Sequence, residues 1–345
     1  MPYGVGVIGA GPGAGALHLP TLARLPEDFL VVHVSDGGSG RAAELAARNG
    51  ARASAQTADL LADPRVEVVA VCSPPELHAA QILAAVAAGK RAVLCEKPLA
   101  TTTADAEAVV EACRSAGVAL LIGTNHLYDA AWGRAKHHLL VSGGPVRSIA
   151  VTVALPPNAR YHDVVTETLT PVASRGGPPL QDPEVAASVV GRLIVGLAVH
   201  DLPLLRDLAA DFEGVDFATA VAPLGFAVAY RASGIPVLLN TVMLSDGADA
   251  LWRIDIATDS ERIEVRFPPA FVHAGSATVR VHASDGRITE YPRDPDDGYL
   301  SQWRAFADVL NGRTPVEYDE LLADAVFAVE LADAAAAAVR RGADS

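Results

Sequence analysis

Cysteine is scarce in this 345-residue chain: only Cys72, Cys95 and Cys113 occur, an odd count with no CxxC pair. That excludes a disulfide framework and points to a reducing compartment. Cys72 and Cys95 sit in apolar runs, where a thiol behaves as a small hydrophobe. Positive charge is short too. Lys and Arg number 27 against 41 Asp and Glu, a net charge of −14. Nucleic-acid backbones and anionic membrane surfaces are bound through Lys and Arg, so neither is expected as a partner. Long uninterrupted apolar runs are missing: the Ala-rich segments are broken by Asp, Glu, Arg and Lys, and no membrane span is expected. The opening MPYGVGVIGAG has no basic n-region and no cleavage site, and a cytoplasmic protein is expected. HExxH and paired Cys/His spacings are absent, and the adjacent His137 and His138 point different ways on a helix, so no metal site is expected. Without a GxSxG elbow or a Lys-Ser/Thr ending to the glycine loop, hydrolase-triad and P-loop chemistry have no anchor. The acidic pair Asp296-Asp297 reads as a solvated turn.

What is present is a 50% hydrophobic composition, enough for two cores. Over the first third, apolar runs alternate with amphipathic Ala-rich segments. Strands are expected over 5–9, 30–35, 66–72, 92–95 and 118–123, and helices over 16–24, 41–49, 75–88 and 103–116. This rhythm gives a doubly wound parallel sheet of Rossmann type, covered by helices on both faces. Later the pattern changes. A strand is expected over 146–155, a long loop over 156–183 and one largely apolar helix over 184–210. Hairpin-linked strands follow over 215–291, with turns at Ser233-Gly234, Asp246-Gly247 and Asp285-Gly286. Helices over 299–310 and 321–339 close the chain. The division is a dinucleotide-binding domain over 1–124 and a substrate-binding and oligomerisation domain over 125–345, with the closing helices open to packing back on the first.

Gly9, Gly11, Pro12, Gly13 and Ala14 follow the first strand and open the first helix. Glycines there let the backbone turn tightly and approach a pyrophosphate seated on the helix N-terminus. The spacing departs from the strict fingerprint: Ala14 stands at its last place, and Gly15 comes one residue late. Asp36 ends the second strand, where a carboxylate accepts hydrogen bonds from ribose hydroxyls and repels a 2′-phosphate. NAD is therefore the expected cofactor, with Arg41 leaving NADP open.

Two further strand ends carry Ser73-Pro74 with His78, and Glu96-Lys97-Pro98. Together with the glycine loop, Asp36 and His200-Asp201, these residues resemble the Gfo/Idh/MocA family of glucose–fructose oxidoreductase and inositol 2-dehydrogenase. Gly123-Thr124-Asn125-His126 and the closing segments around Trp303 and Gly312 extend the resemblance over nearly the whole chain. The resemblance implies a second α+β domain with a large open, mainly antiparallel sheet, through which homodimers or homotetramers form. It implies a polar small-molecule substrate, a sugar, cyclitol or related secondary alcohol or ketone, exchanging a hydride with nicotinamide. Ser73, Pro74 and His78 would flank the adenosine diphosphate and nicotinamide ribose. Glu96, Lys97 and Asn125 would also contact cofactor, and Lys97 would stabilise the substrate alkoxide, with a cis bond before Pro98. His200 would take the proton, and His126 and Tyr128 would touch substrate hydroxyls. The family's Asp four residues before the histidine is Gly196 here, and a later one is Pro203. On a regular helix Asp201 points about 100° away from His200, so it orients His200 only if the helix is distorted, or else reaches Lys97. Arg160, Tyr161, His162 and Arg175 are candidates to cover the site. These departures keep two other readings open: an imine or enone reductase, and a non-catalytic NAD-binding sensor.

Overall fold

The computed structural model describes residues 1–38, 40–156, 178–243, 250–269 and 272–343. The chain divides into two units: Met1–Thr124 with Tyr299–Val326, and Asn125–Gly298 with Phe327–Ser345. The expected cover residues Arg160, Tyr161, His162 and Arg175, and the expected turn at Asp246-Gly247, lie outside the described residues.

In the first unit six strands pair in parallel: β1 (Tyr3–Ile8), β2 (Phe29–Ser35), β3 (Arg52–Ser54), β4 (Val68–Val71), β5 (Ala92–Cys95) and β6 (Ala119–Ile122). Their order is β3-β2-β1-β4-β5-β6. The chain thus winds outward from β1 and then returns to its other side at β4. That reversal opens a crevice at the carboxyl ends of β1 and β4. Val68–Val71 is buried at every position, as a strand covered on both faces must be. Thr102 caps the helix Thr103–Ala116 by accepting from Asp105 N, and Gly117 ends it at φ 65°. The helix Gly298–Leu310 brings Trp303 into the core, edge-on to Phe29 with centroids 5.0 Å apart. β3 and the helix Thr57–Leu61 were not anticipated from sequence. β3 is three residues long and carries no apolar run, so it leaves no periodic signal.

The second unit is built on an eight-stranded sheet: β7 (Val146–Leu155), β8 (Phe212–Ala220), β9 (Gly225–Ala232), β10 (Ile235–Met243), β11 (Leu251–Thr258), β12 (Glu261–Phe267), β13 (Thr278–Ala283) and β14 (Ile288–Tyr291). The order is β14-β13-β12-β11-β7-β10-β9-β8. All neighbours are antiparallel except β7 and β10, which run parallel. Burial alternates along β7 and β9, and the inward residues meet Ala187, Val190, Ile194, Leu331 and Ala335 in one core.

The single helix expected over 184–210 is interrupted. It runs as Pro183–Gly196, a 3₁₀ turn Ala198–His200, and Leu202–Leu208, with Leu197 at φ −122° between the first two. Pro203 explains the stop: it has no N–H to donate and its ring excludes the carbonyl four residues earlier, so it can only begin a new helix. The stretch Pro183–His200 reaches the length and mean hydropathy, 1.3, of a membrane span by length and composition only. Its first helix has 14 residues, about 21 Å at 1.5 Å per residue, and a hydrocarbon layer is about 30 Å thick. Ala186, Ala187, Val190 and Ile194 are spent on the core.

Candidate active site

β1 delivers the chain into Gly9 at φ 98°. A Cβ there would stand 2.5 Å from the Cys72 carbonyl oxygen, so only glycine lets the loop lie against the end of β4. Gly11 and Gly13 are different: a Cβ at either would meet nothing within 4 Å, because the space above them is open. Residues 12–23 are helical, with a π turn at Ala14–His18. A π turn accommodates one residue more than an α turn, which accounts for Gly15 arriving late. Asp36 accepts from Ala10 N at 2.6 Å and from Gly38 N at 2.8 Å, clamping the loop to the end of β2.

These elements wall a cleft of about 720 Å³. Gly9, Gly11, Pro12, Gly13, Asp36, Ser73 and Pro74 all line it, with Cys72 and Leu77 of the same strand-end segment, and with residues 55–58 and Gln81, which the sequence reading did not name. Residues 55–58 follow β3, and a polar turn between a helix and the next strand was the only available hint. The volume and the open places over Gly11 and Gly13 fit a dinucleotide. Ala14 is not part of the lining; it is fully buried under the loop.

His78 is not among the residues that line the cleft. It is buried, with Nδ1 2.7 Å from the Pro98 carbonyl and Nε2 2.8 Å from that of Ser73, so it ties two strand-end loops together. Lys97 and Glu96 lie beyond the cleft lining, and the Lys97-Pro98 bond is cis. Burial drives the Lys97 ammonium below the usual lysine range, against the pull of Glu96. Burial acts to raise Glu96, but the hydrogen bond from His18 and the charge of Lys97 prevail and hold it low. His18 Nε2 lies 2.7 Å from Glu96 Oε1, while Trp303 Nε1–H donates to His18 Nδ1 at 3.1 Å. Burial opposes charging His18, whereas Cys72 and Glu96 favour it. The indole donor leaves Nδ1 no place for a proton, so the geometry supports the neutral Nε2–H ring. Neither His18 nor Trp303 was read as part of a site.

The second unit gathers a different cluster. Asn125–Tyr128 forms a 3₁₀ turn, followed by the buried cap Asp129, which accepts from Ala131 N and Ala277 N. Burial raises the Asp129 carboxyl despite these donors. His126 stacks on Phe267 with centroids 3.8 Å apart and meets Trp252 edge-on at 4.8 Å. Asp201, 1% exposed, lies 2.8 Å from His126 Nδ1 and accepts from Trp252 Nε1 at 2.8 and 3.0 Å. The expected pairing of Asp201 with His200 or Lys97 is thus replaced by His126, because the helix break turns Asp201 toward β11. His200 Nδ1 instead meets Asn125 Oδ1 at 2.8 Å. Asn125 therefore supports His200. Tyr128 is partly buried at the end of its turn. Asp297, expected in solvent, is 3% exposed and pairs with His273 Nδ1 at 2.7 Å.

Residues 3–124 match the oxidoreductase family with an NAD-binding Rossmann fold, Gfo/Idh/MocA. Among curated relatives, the 1,5-anhydro-D-fructose reductase of Ensifer adhaerens is 38% identical over 198 residues, 56% of this chain and 51% of that protein. The chain thus spans about half the length of that relative. The inositol 2-dehydrogenase of Rubrobacter xylanophilus is 28% identical across 98% of this chain and 91% of its own. Among solved structures, the 3-ketoreductase KijD10 of Actinomadura kijaniata, in complex with NADP and TDP-benzene, shares the fold. Its TM-score is 0.75 at 22% identity, over 97% of this chain and 98% of that one.

Proposed function

From a chain whose N-terminal domain is that of the Gfo/Idh/MocA oxidoreductases, we propose an NAD(P)-dependent dehydrogenase or reductase. Its substrate is a secondary alcohol or ketone of a sugar, cyclitol or sugar-derived metabolite. The observation that carries this is the cleft over Gly11 and Gly13, open where a pyrophosphate needs room and held by the Asp36 clamp. The relatives named for anhydrofructose and inositol support a polyhydroxylated ring as substrate. Bound in the cleft, the dinucleotide supplies a nicotinamide that accepts or gives a hydride. Lys97, partly buried and drawn below the usual lysine range by that burial, donates to the substrate oxygen and stabilises its negative charge. The histidines of the second unit, His200 and His126, hold and move the hydroxyl proton, with Asp201 in support.

Asp36 repels a 2′-phosphate, which favours NAD; Arg41, next to the helix Ala42–Arg48, is the residue through which NADP would be admitted. Exposed Phe217 and Leu238 on the large sheet support self-association into a homodimer or homotetramer through that face. The three free thiols suit a cytoplasmic setting. The test is the Lys97→Ala variant, assayed with a sugar and cyclitol panel and both cofactors. NADH binding should persist while turnover falls about 10²- to 10⁴-fold. Unchanged turnover sinks the assignment, and a clear preference for NADP sinks the Asp36 argument.

A further inference from the structure

We infer that His78 works as an imidazolium and is a positioning residue of the reaction, its two ring N–H groups joining the wall of the dinucleotide cleft to the segment that carries Lys97. The positioning role rests on the dehydrogenase reading above. Nδ1 lies 2.7 Å from the Pro98 carbonyl oxygen, and Nε2 lies 2.8 Å from the Ser73 carbonyl oxygen. A carbonyl oxygen can only accept. A neutral imidazole donates from one nitrogen and keeps a lone pair on the other; only the doubly protonated ring donates from both. A neutral ring would set a nitrogen lone pair against an oxygen lone pair at one of these contacts, with little water to relieve it at a residue 1% exposed. Both lengths fall in the range of charge-assisted N–H···O bonds, about 2.7–2.9 Å, and below the usual neutral length of about 2.9–3.0 Å.

Two effects oppose a cation here. Burial is one; the other is the start of the helix His78–Ala87, where the helix dipole is positive. Against them stand the two carbonyl dipoles that face the ring, and the Glu96 carboxylate. Burial raises the Glu96 carboxyl, and the charge of His78 acts with the His18 hydrogen bond and the charge of Lys97 to hold it low. When Lys97 gives its proton to a substrate oxygen, His78 is the cation that stays beside Glu96. The ring also sets a distance. Ser73 lines the cleft, and Pro98 follows Lys97 directly, so one rigid imidazolium spans from the cofactor's wall to the lysine's segment. All of these residues belong to the first unit. Ser73 has a second tie, its Oγ donating to Gln81 Oε1 at 2.5 Å. Loss of the ring thus leaves the cleft wall one tie at Ser73, while the Lys97 segment loses its bond at Pro98.

The test has two arms, both on the full chain. In the first, nitrogen-15 spectra of the wild type at neutral pH, with the His78 ring assigned through its own backbone signals, should show protons on both ring nitrogens. That arm needs neither a variant nor turnover. One protonated and one bare nitrogen overturns the inference and leaves the dehydrogenase reading standing. The second arm compares wild type and His78→Gln with NAD and a panel of sugars and polyols headed by myo-inositol, thermal unfolding verifying that the variant is folded. Glutamine offers an amide but no cation and cannot span both carbonyls. Its kcat should fall about 10²-fold, the cost of a misplacement of about 1 Å, with NADH affinity kept within about threefold. A folded variant with unchanged kcat, or one that loses NADH affinity and keeps kcat, overturns the positioning role. Wild-type protein that binds NADH and turns over nothing in the panel removes the dehydrogenase reading, and the positioning role with it.

Discussion

Two glycines of one loop do opposite jobs. Gly9 is fixed by the protein: its φ of 98° and the Cys72 carbonyl 2.5 Å from a would-be Cβ leave no room for a side chain. Gly11 is fixed by what the cleft receives, since a methyl group there meets no protein atom within 4 Å. Gly9→Ala should therefore cost about 2–4 kcal/mol of stability, from left-handed strain and overpacking together. Gly11→Ala should unfold within about 1 kcal/mol of the wild type yet weaken NADH binding at least tenfold. Thermal melts and NADH fluorescence on the two variants separate these effects. A Gly11→Ala protein with undiminished NADH affinity would show that the open space is not the phosphate seat.

At the level of elements, stability concentrates where β2 meets the turn before β4. Asp63 is 4% exposed. It accepts from Arg65 at 2.7 to 3.1 Å through backbone and side chain, and lies 3.1 Å from His33 Nδ1 in β2. Lys90 Nζ donates to the Asp63 and Val66 carbonyls. The Arg65 hydrogen bonds, ahead of the opposing effect of burial, hold the Asp63 carboxyl far below the usual carboxylate range. A depressed folded value means that the contribution is complete above about pH 4 and is lost as pH falls toward the folded value. Asp63→Asn should lower the unfolding midpoint at pH 7 by about 3 °C or more. Its gap from the wild type should narrow as the pH drops below 4; a gap constant from pH 7 to pH 3 would refute the linkage. Arg65 is two residues from Asp63, but His33 and Lys90 lie 30 and 27 residues away and join only once β2 and the turn are built, so the network was not announced in the residues around Asp63. The Rossmann strands, by contrast, were legible as continuous Val, Ala and Leu runs, and Thr103–Ala116 was legible as an amphipathic Ala-rich segment. The same rule explains the site. Gly9 to Gly13 and Asp36 sit at strand ends where one-dimensional order predicts position. The Asp201–His126 pairing depends on a helix break whose cause, Pro203, was visible while the direction it gives Asp201 was not.

On the scale of the whole molecule, each unit buries apolar residues of its own against its sheet. The cleft belongs entirely to the first unit, so a dinucleotide that binds only the folded form stabilises the protein by mass action. At 100 times its dissociation constant NADH should add about 2.7 kcal/mol to unfolding, read as a rise in the calorimetric midpoint that scales with the logarithm of NADH concentration. No rise at millimolar NADH would mean that the cleft does not hold it. The π turn at Ala14–His18 has a broader consequence. Without Ala14 the string would read Gly9-Ala-Gly11-Pro-Gly13-Gly15, the regular fingerprint; with it, the surplus is stored as a bulge in the helix while the loop ahead keeps its shape. The pyrophosphate seat is thus a property of where amide groups point rather than of how many letters separate the glycines, and a sequence can lose the signature while the backbone keeps the device.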